Sequence, residues 1–212
     1  MTMLGIVVGL RAEARLAAHL GRVEIGGGLP AGAEAAAERL CRNGADALLS
    51  FGLAGGLDPA LRPGDRVVPE AVLEDGQCYM TDPALNRRFG GPTTAQLLAG
   101  RDIVAGVAAK QALWQRHAAA AIDLESGAVA RVARRHGLPF AVLRAICDPA
   151  GRDLPPAALI ALDAAGGIGP LRVLTSILVH PGQIPSLIAL ARDANAARRT
   201  LLQAVRANET NW

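Results

Sequence analysis

The stretch AIDLESGAVARVARRHGLPFAVLRAICD, residues 121–148, decides the fold class of this chain. A short apolar strand ends in DLE at residues 123–125, an Arg-rich segment with helical spacing follows, and a second apolar strand, residues 140–146, leads to Asp148. Two strands joined by a helix are typical of parallel β-sheets, whose ligand sites lie at the carboxyl ends of the strands. The stretch therefore predicts an α/β fold that supports carboxylates near one site.

The remaining sequence continues this alternation of strands and helices. We predict further strands at residues 3–9, 45–51, 66–69 and 103–107, and helices at 12–20, 31–43, 157–165, 170–179 and 185–208. We interpret residues 75–100 as a loop-rich surface. The alternation predicts a mostly parallel or mixed central sheet flanked by helices. With no linker or repeat, the 212 residues form a single predicted domain with a helical tail from about residue 157.

Composition argues for a globular protein without a nucleic-acid partner. Apolar residues make up 51% of the chain and charged residues 19%, and the net charge is only +3. The three cysteines are widely spaced, with no CxxC pair, so we expect reduced thiols and no metal site. We find no signal peptide and no apolar run long enough to span a bilayer, and we predict a cytoplasmic location.

A glycine-rich segment, GLAGGL at residues 52–57, directly follows the predicted strand at residues 45–51. Glycines let a ligand approach the backbone, and free N–H groups there suit phosphate or hydroxyl groups. The segment is not a P-loop, because no Lys-Ser or Lys-Thr follows it. A plain structural turn explains the pattern about equally well.

Acidic residues near predicted strand ends are the candidates for chemistry. Glu13 lies at the start of the first predicted helix. One interpretation is that its negative charge interacts favourably with the helix dipole. The other is that the carboxylate faces the site and orients a water molecule. Asp123 and Glu125 alternate at a strand end, so we expect their side chains to point to opposite sides, one into the site and one capping the next helix. The carboxylate in the site would accept hydrogen bonds from the vicinal hydroxyls of a sugar.

Asp148 follows a fully apolar strand, where loss of hydration raises the pKa of a carboxyl group. A carboxyl group that holds its proton is what a general acid requires. The structural alternative is a helix cap or an Asx turn before Pro149.

Together these segments resemble the nucleoside phosphorylase superfamily, in particular the branch that contains methylthioadenosine/S-adenosylhomocysteine nucleosidase. The matching blocks are residues 5–9 with Glu13, FGLAGGLDPALRPGDRVVP at 51–69, AIDLESGAVARVA at 121–133 and PFAVLRAICD at 139–148. Two later segments, DPAGRDLPP at 148–156 and HPGQIPSLIALARDA at 180–194, are similar to the hopanoid-associated phosphorylases. The resemblance implies the three-layer nucleoside phosphorylase-like fold.

The resemblance also implies roles for individual residues. Asp148 is similar to the acid that protonates N7 of the departing purine, and Glu13 to the residue that orients the nucleophilic water. Glu125 is similar to the ribose-binding glutamate, and Leu124 replaces a methionine that packs under the sugar. The remaining implied substrate-binding positions are Gly9, Gly52, Leu53, Ala54 and Gly55.

The implied activity is cleavage of the N-glycosidic bond of an adenosyl compound, with release of adenine and with adenosylhopane as the favoured substrate. The alternatives are a methylthioadenosine/S-adenosylhomocysteine nucleosidase and a non-catalytic nucleoside-binding protein. No cofactor is implied, although phosphate is a candidate co-substrate. Classical members of the superfamily hold phosphate with an Arg and a Ser, and here the corresponding positions are Ser50 and Leu53, so hydrolysis remains open. Arg11 is the candidate that would compensate.

The resemblance further implies a homodimer or higher homo-oligomer. The apolar tail at residues 168–179 and 184–190 has two interpretations. One is ordinary core packing of the terminal helices, which is the more common role of apolar helical stripes. The other is a groove or peripheral membrane contact for a lipid-linked substrate.

Overall fold

A computed structural model describes residues 3–160 and 181–209, and the described chain forms a mixed nine-stranded β-sheet with helices on both faces. The strands are β1 Leu4–Val8, β2 Arg22–Ile25, β3 Ala47–Gly56, β4 Arg66–Val67, β5 Pro69–Glu74, β6 Gln77–Met80, β7 Thr94–Ala99, β8 Ala121–Asp123 and β9 Phe140–Asp148. The helices are α1 Arg11–Ala17, α2 Pro30–Arg42, α3 Pro83–Arg88, α4 Val107–His117, α5 Ser126–His136, α6 Pro156–Ile160 and α7 Ile184–Glu209, and a 3-10 turn covers Pro181–Gln183.

Strand β3 is the centre of the sheet. The strand order is β2-β1-β3-β8-β7-β5-β6, and β9 pairs with both β3 and β4. The first half of β3 lies parallel to β1 on one side and to β9 on the other. Its last residues, Gly55 and Gly56, pair antiparallel with β8. The predicted fold class, a mostly parallel sheet flanked by helices, is confirmed, and β3 brings β1, β8 and β9 together at one edge.

Alternating side chains of the strands fill two apolar layers, one on each face of the sheet. Val7 packs in the layer under α2 and α5, whereas Ile6 and Val8 pack in the layer under α1 and α7. This alternation is the side-chain period of a β-strand. Helix α7 contributes Ala197, Leu201, Ala204 and Val205 to its layer. With aromatic residues at only 3% of the chain, close helix approach through alanine fills the core.

The glycine-rich segment at residues 52–57 is not a turn. Strand β3 continues through it to Gly56, and the pairing with β9 shifts register between Ala54 and Gly55. Glycine inside a strand is typical of a bulge or of a close approach by other atoms. Both occur here, and the prediction that the strand ends at Phe51 was wrong because β9 and β8 supply hydrogen-bond partners beyond that point.

Two further predictions of local structure were wrong. Residues 75–100 are regular and contain β6, α3 and β7, whereas residues 103–107 form no strand. Strand β6 is mostly exposed, so its sequence lacks the apolar signal of a buried strand. Strand β2 was missed because its four residues, RVEI, are at most partly buried and alternate between charged and apolar, without an apolar run.

The tail is helical where the structure describes it. The predicted helix at 185–208 corresponds to α7, and the one at 157–165 begins as α6, while residues 161–165 and the predicted helix at 170–179 lie outside the described residues. In residues 3–160 and 181–209, no helix is long and apolar enough to cross a membrane.

A contact between α2 and the loop after β2 allows a test of the packing. A Cβ atom added at Gly32 would lie 1.8 Å from the carbonyl oxygen of Gly26, whose own N–H donates to Val8. Two backbone segments cannot separate cheaply, so Gly32→Ala should lower the free energy of unfolding by about 1–3 kcal/mol, despite the better helix propensity of alanine.

Urea unfolding of Gly32→Ala, compared with Gly151→Ala, measures this effect. An added Cβ at Gly151 meets nothing within 4 Å, so the control variant should be as stable as the wild type. Equal stability of the two variants would show that α2 and the loop do not touch.

Candidate active site

Arg144 lies in the middle of β9, between apolar residues on either side, and its side chain is 1% exposed. Its Nε atom lies 2.6 Å from Asp123 Oδ2, and its Nη2 atom lies 3.0 Å from Glu125 Oε2. The same Nη2 donates to Ser50 Oγ at 2.7 Å. A buried guanidinium requires such partners, because an unpaired charge in the interior costs several kcal/mol. Arg144 therefore holds two carboxylates from the end of β8 in place.

The side chains of Asp123 and Glu125 lie on the same side of the sheet, since both contact Arg144. The prediction that they point to opposite sides was wrong, because residues two apart in extended chain share one face. The prediction that one of the two acids caps the next helix is met by Asp123, whose Oδ1 accepts hydrogen bonds from the N–H groups of Glu125 and Ser126 where α5 begins. Asp123 thus caps the helix.

Glu13 connects the start of α1 to the glycine-rich end of β3. Its Oε2 accepts the N–H groups of Gly9 at 3.1 Å and Leu10 at 2.8 Å. Its Oε1 accepts the N–H of Leu53 at 2.9 Å. The side chain is only 2% exposed. Both interpretations of this residue fit its position, since it caps the helix N-terminus and lies beside Arg144 and Glu125.

Glycine is required at two positions because charged groups lie against the backbone. A Cβ atom at Gly52 would lie 2.6 Å from both Glu13 Oε1 and Arg144 Nη1, and its φ of +153° is also unfavourable for other residues. A Cβ atom at Gly9 would lie 2.7 Å from Glu125 Oε1. The two glycines therefore let the carboxylates of Glu13 and Glu125 approach the ends of β1 and β3.

The other predicted binding positions divide between the site and the core. The Ala54 side chain packs in the apolar core, so its backbone alone is available to the site. Gly55 pairs with Asp148, and a Cβ there would lie 3.7 Å from Asp148 Oδ2. Leu124 is partly buried after the end of β8, close to Gly100.

Asp148 is the last residue of β9 and is 5% exposed. Its Oδ2 lies 2.7 Å from Nζ of Lys110, whose side chain is 1% exposed. Its Oδ1 has no hydrogen-bond partner among the residues that the structure describes, so the alternative of an Asx turn is not supported. Burial raises the pKa of the Asp148 carboxyl, and Lys110 opposes that increase. The predicted direction of this pKa change is confirmed.

Burial also raises the pKa of Glu125, to about 7. Arg144 counteracts this effect, while the neighbouring charges of Glu13 and Asp123 reinforce it. The pKa of Glu13 is raised as well, again mainly by burial. One guanidinium thus shares its charge among three carboxyl groups, and not all of them are ionised at neutral pH.

Two carboxyl groups lie along the end of β3. Glu13 lies beside Gly52, and Asp148 lies beside Gly55. Three residues of extended strand span about 10 Å, which is the scale of a nucleoside. Glu125 Oε1 and Asp148 Oδ1 are both buried acceptors without a partner in residues 3–160 and 181–209.

Sequence reasoning missed Arg144 and Lys110. A charged residue inside the apolar run FAVLRAI predicts a buried ion pair, since an unpaired charge there would be very costly. Lys110 gave a weaker signal as the single lysine of the chain. Its partner, Asp148, lies 38 positions away in sequence, and only the fold reveals their contact.

The residues considered for phosphate binding are placed differently. Ser50 is fully buried, and its hydroxyl is bonded to Arg144 and Ser126. Arg11 is exposed and, with Arg39 among the lining residues, borders a separate cavity of about 430 Å³ next to the loop at Gly26.

The raised carboxyl pKa values predict how stability depends on pH. Between about pH 5 and 7 the folded protein holds a proton on Glu125 that the unfolded chain has released, so the free energy of unfolding should fall as pH rises through this window. Glu125→Gln should remove its share, at most about 3 kcal/mol, and flatten the curve.

Urea unfolding at several pH values between about 5 and 7 measures this slope. Glu34→Gln is the matched control, because Arg135 and Arg131 lower the pKa of Glu34 and confine its effect to lower pH. The control should keep the wild-type slope. A wild type whose stability rises through this window would contradict the assignment.

Comparison with known proteins identifies the family. The sequence pattern of the phosphorylase superfamily matches residues 21–100 and 96–161, more than half of the chain. A 5'-methylthioadenosine/S-adenosylhomocysteine nucleosidase from Geobacillus kaustophilus (strain HTA426) is 29% identical over 135 residues, covering 51% of this chain and 57% of that protein. The matched region thus spans little more than half the length of this relative.

Solved structures share the fold over nearly the whole chain. An S-adenosylhomocysteine nucleosidase from Streptococcus pyogenes, in complex with 5-methylthiotubericidin, superimposes with a TM-score of 0.73 at 18% identity, covering 99% of this chain and 97% of that chain. The native futalosine hydrolase of Helicobacter pylori strain 26695 gives a TM-score of 0.67 at 16% identity, with coverages of 100% and 98%. At such identities the likeness shows the fold. The sequence match and the shared fold together show that this chain belongs to the phosphorylase superfamily.

Proposed function

We propose that this protein cleaves the N-glycosidic bond of an adenosyl compound and releases adenine. The observation that carries the proposal is the pair of buried carboxyl oxygens, Glu125 Oε1 and Asp148 Oδ1, that find no partner in the described chain. Buried polar atoms without partners are rare and costly, and they are expected where a ligand completes the bonding. A nucleoside supplies sugar hydroxyls at one end and a purine nitrogen at the other.

The geometry supports a division of roles between these carboxyl groups. Glu125 accepts hydrogen bonds from the ribose hydroxyls, and Asp148 in its protonated form donates its proton to the purine. The bond between sugar and purine breaks, its electron pair leaves with the purine, and that proton neutralises the leaving group. General-acid assistance of this kind contributes about 10²- to 10⁴-fold to the rate.

The same reaction requires a nucleophile at the sugar carbon. Cleavage passes through an oxocarbenium-like sugar, as in glycoside hydrolysis. Glu13 lies close to Glu125 and beside the glycine-rich end of β3, where it can orient a water molecule and accept its proton. Its raised pKa brings this carboxyl closer to that of an effective general base at neutral pH.

We propose water rather than phosphate as the nucleophile. The backbone N–H groups of Gly9, Leu10 and Leu53 already donate to Glu13. Arg144 already forms ion pairs with Asp123 and Glu125 and donates a hydrogen bond to Ser50. A phosphate dianion would therefore meet several carboxyl groups and a guanidinium whose charge is already compensated, so its binding would be opposed.

We further propose a lipid-linked adenosyl substrate, with adenosylhopane favoured. The similarity of residues 148–156 and 180–194 to hopanoid-associated phosphorylases supports this substrate. Arg152, just after Asp148, pairs with Asp193 of α7. Ile184 and Ile188, one turn apart on α7, are 42% and 49% exposed in the described chain. An apolar helix face next to the Asp148 loop suits a substrate presented at the cytoplasmic surface of a membrane.

The alternative substrates are soluble nucleosides. The nucleosidase relatives are named for 5'-methylthioadenosine and S-adenosylhomocysteine, and this supports an activity on those compounds. The homodimer implied by the resemblance belongs to the same proposal, and light scattering on a size-exclusion column tests it.

One assay separates these possibilities. The protein is incubated with adenosylhopane in phospholipid vesicles, with methylthioadenosine and with S-adenosylhomocysteine, each with and without phosphate. We expect adenine release from adenosylhopane and a free sugar product, identified by mass spectrometry, in both buffers. A sugar phosphate would overturn the choice of water, and turnover of the soluble compounds alone would overturn the lipid-linked substrate.

Substitution of the proposed acid tests the mechanism. Asp148→Asn should lower kcat by about 10²- to 10⁴-fold while adenine and substrate still bind, because the amide keeps the shape but carries no acidic proton. Steady-state kinetics and calorimetric binding measure the two effects. The matched control is Asp46→Asn, since Asp46 accepts the Met3 N–H just before β3 begins, at the opposite end of that strand.

The control should keep wild-type kcat. If Asp148→Asn also keeps wild-type kcat, Asp148 is not the proton donor. If the wild type binds adenosyl compounds but turns over none of them, the protein is a nucleoside-binding protein.

A further inference from the structure

Lys110 is the buried cation beside the proposed proton donor, and the mechanism above leaves it without a role. It lies in the first turns of α4 and is 1% exposed. Its Nζ lies 2.7 Å from Asp148 Oδ2, and it donates to the carbonyl oxygens of Pro149 at 3.2 Å and Arg152 at 2.8 Å. An ammonium group has three donors, and here all three are used.

The chain around Lys110 is tied to the loop that follows Asp148. Asp153 Oδ1 accepts the N–H of Val107 at 2.7 Å, at the first residue of α4. The N–H of Leu154 donates to the carbonyl oxygen of Ala105 at 2.9 Å. These two bonds join α4 to the loop independently of Lys110, so the position of Lys110 Nζ does not depend only on its ion pair with Asp148.

The contact differentiates the two oxygens of Asp148. Lys110 binds Oδ2, while Oδ1 has no partner in the part of the chain that the structure describes. The carbonyl oxygen of a neutral carboxyl group is a much better hydrogen-bond acceptor than its hydroxyl oxygen, so the ammonium of Lys110 favours Oδ2 as the carbonyl oxygen. When Asp148 is protonated, the proton therefore resides on Oδ1.

We propose that Lys110 is a positioning residue for the general acid: it holds Oδ2 of Asp148, leaves the proton on Oδ1, and stabilises the carboxylate that forms as the proton is transferred. The proposal rests on the proposed function. In the ground state Lys110 faces a neutral carboxyl group, and in the transition state it faces a developing negative charge. An interaction that strengthens toward the transition state accelerates the reaction.

Lys110 also reduces the fraction of Asp148 that is protonated, and this second effect can be measured in a pH profile. Burial raises the pKa of Asp148, whereas Lys110 lowers it, because a cation beside a carboxyl group favours the ionised form. The charges of Arg152, which lowers this pKa, and of Asp193, which raises it, are unchanged in the Lys110 variants. Activity falls on the alkaline side as Asp148 loses its proton. Removing the cation should therefore move this alkaline limb to higher pH while the maximal rate falls.

The test compares Lys110→Met, Lys110→Gln and Lys110→Arg with the wild type in full pH profiles of kcat and kcat/KM. We expect kcat of the two neutral variants to fall on the order of 10²-fold, as for loss of one transition-state donor, with KM changed less than about threefold. Their alkaline limbs should move up by about 1–3 pH units. Lys110→Arg keeps the charge, so its limb should stay near that of the wild type.

Arg131→Met is the control for loss of a partly buried cation. Arg131 joins α5 to Glu34 and to Glu74 of β5, outside the site. This control should unfold at lower temperature yet keep the wild-type pH profile. Thermal unfolding of all variants separates folding defects from kinetic ones.

A fall in kcat of the neutral variants without movement of the alkaline limb would show a merely structural role and overturn the inference. If neither neutral variant folds, Lys110→Arg decides, because a displaced alkaline limb in that variant would also overturn it. Failure of the proposed function is a different result: the wild type itself would then release no adenine from any of the substrates.

Discussion

Arg144 brings a positive charge into the middle of the buried strand β9, where residues 140–143, 145 and 146 are apolar, and this charge has to be compensated inside the protein. The compensation comes from Asp123 and Glu125 at the end of β8 and from Glu13 at the start of α1. Because removal of one partner from a buried ion pair costs about 3–5 kcal/mol, the cluster constrains every element that carries a member. Strands β8 and β9 and helix α1 are thereby fixed relative to the same point of the sheet.

Gly9, directly after β1, and Gly52 of β3 leave the space that this charge cluster occupies. Side chains at Gly9 and Gly52 would collide with Glu125, Glu13 and Arg144, so the backbone itself forms the wall of the site there. The cluster leaves one carboxylate oxygen of Glu125 unbonded in the described chain, and Lys110 leaves one oxygen of Asp148 in the same condition. In the proposed mechanism, these fixed cations orient both carboxyl groups before the substrate binds, which is the usual basis of catalytic preorganisation.

Sequence patterns predicted the buried parts of this structure well and the edges poorly. Apolar runs predict β1, β3 and β9. Positions at strand and helix ends single out Glu13, Asp123, Glu125 and Asp148 as candidates, and only the family resemblance assigns roles among them. The four-residue strands β2 and β6 were not predicted, because β2 is only partly buried and β6 is mostly exposed, and neither carries the long apolar run of a buried strand. The extension of β3 through its glycines depends on partners contributed by distant strands. The ion pair of Lys110 with Asp148 is likewise a product of the fold, and periodicity carries no information about it.

The central claim is that Glu125 and Asp148 serve one nucleoside. The most direct measurement is a crystal structure of the protein with an unreactive adenosine analogue in which carbon replaces the nitrogen of the glycosidic bond. The account predicts that a ribose hydroxyl lies within hydrogen-bond distance of Glu125 Oε1 and that the purine N7 lies within hydrogen-bond distance of Asp148 Oδ1. An analogue that contacts only one of these carboxyl groups, or that binds elsewhere, would contradict the account.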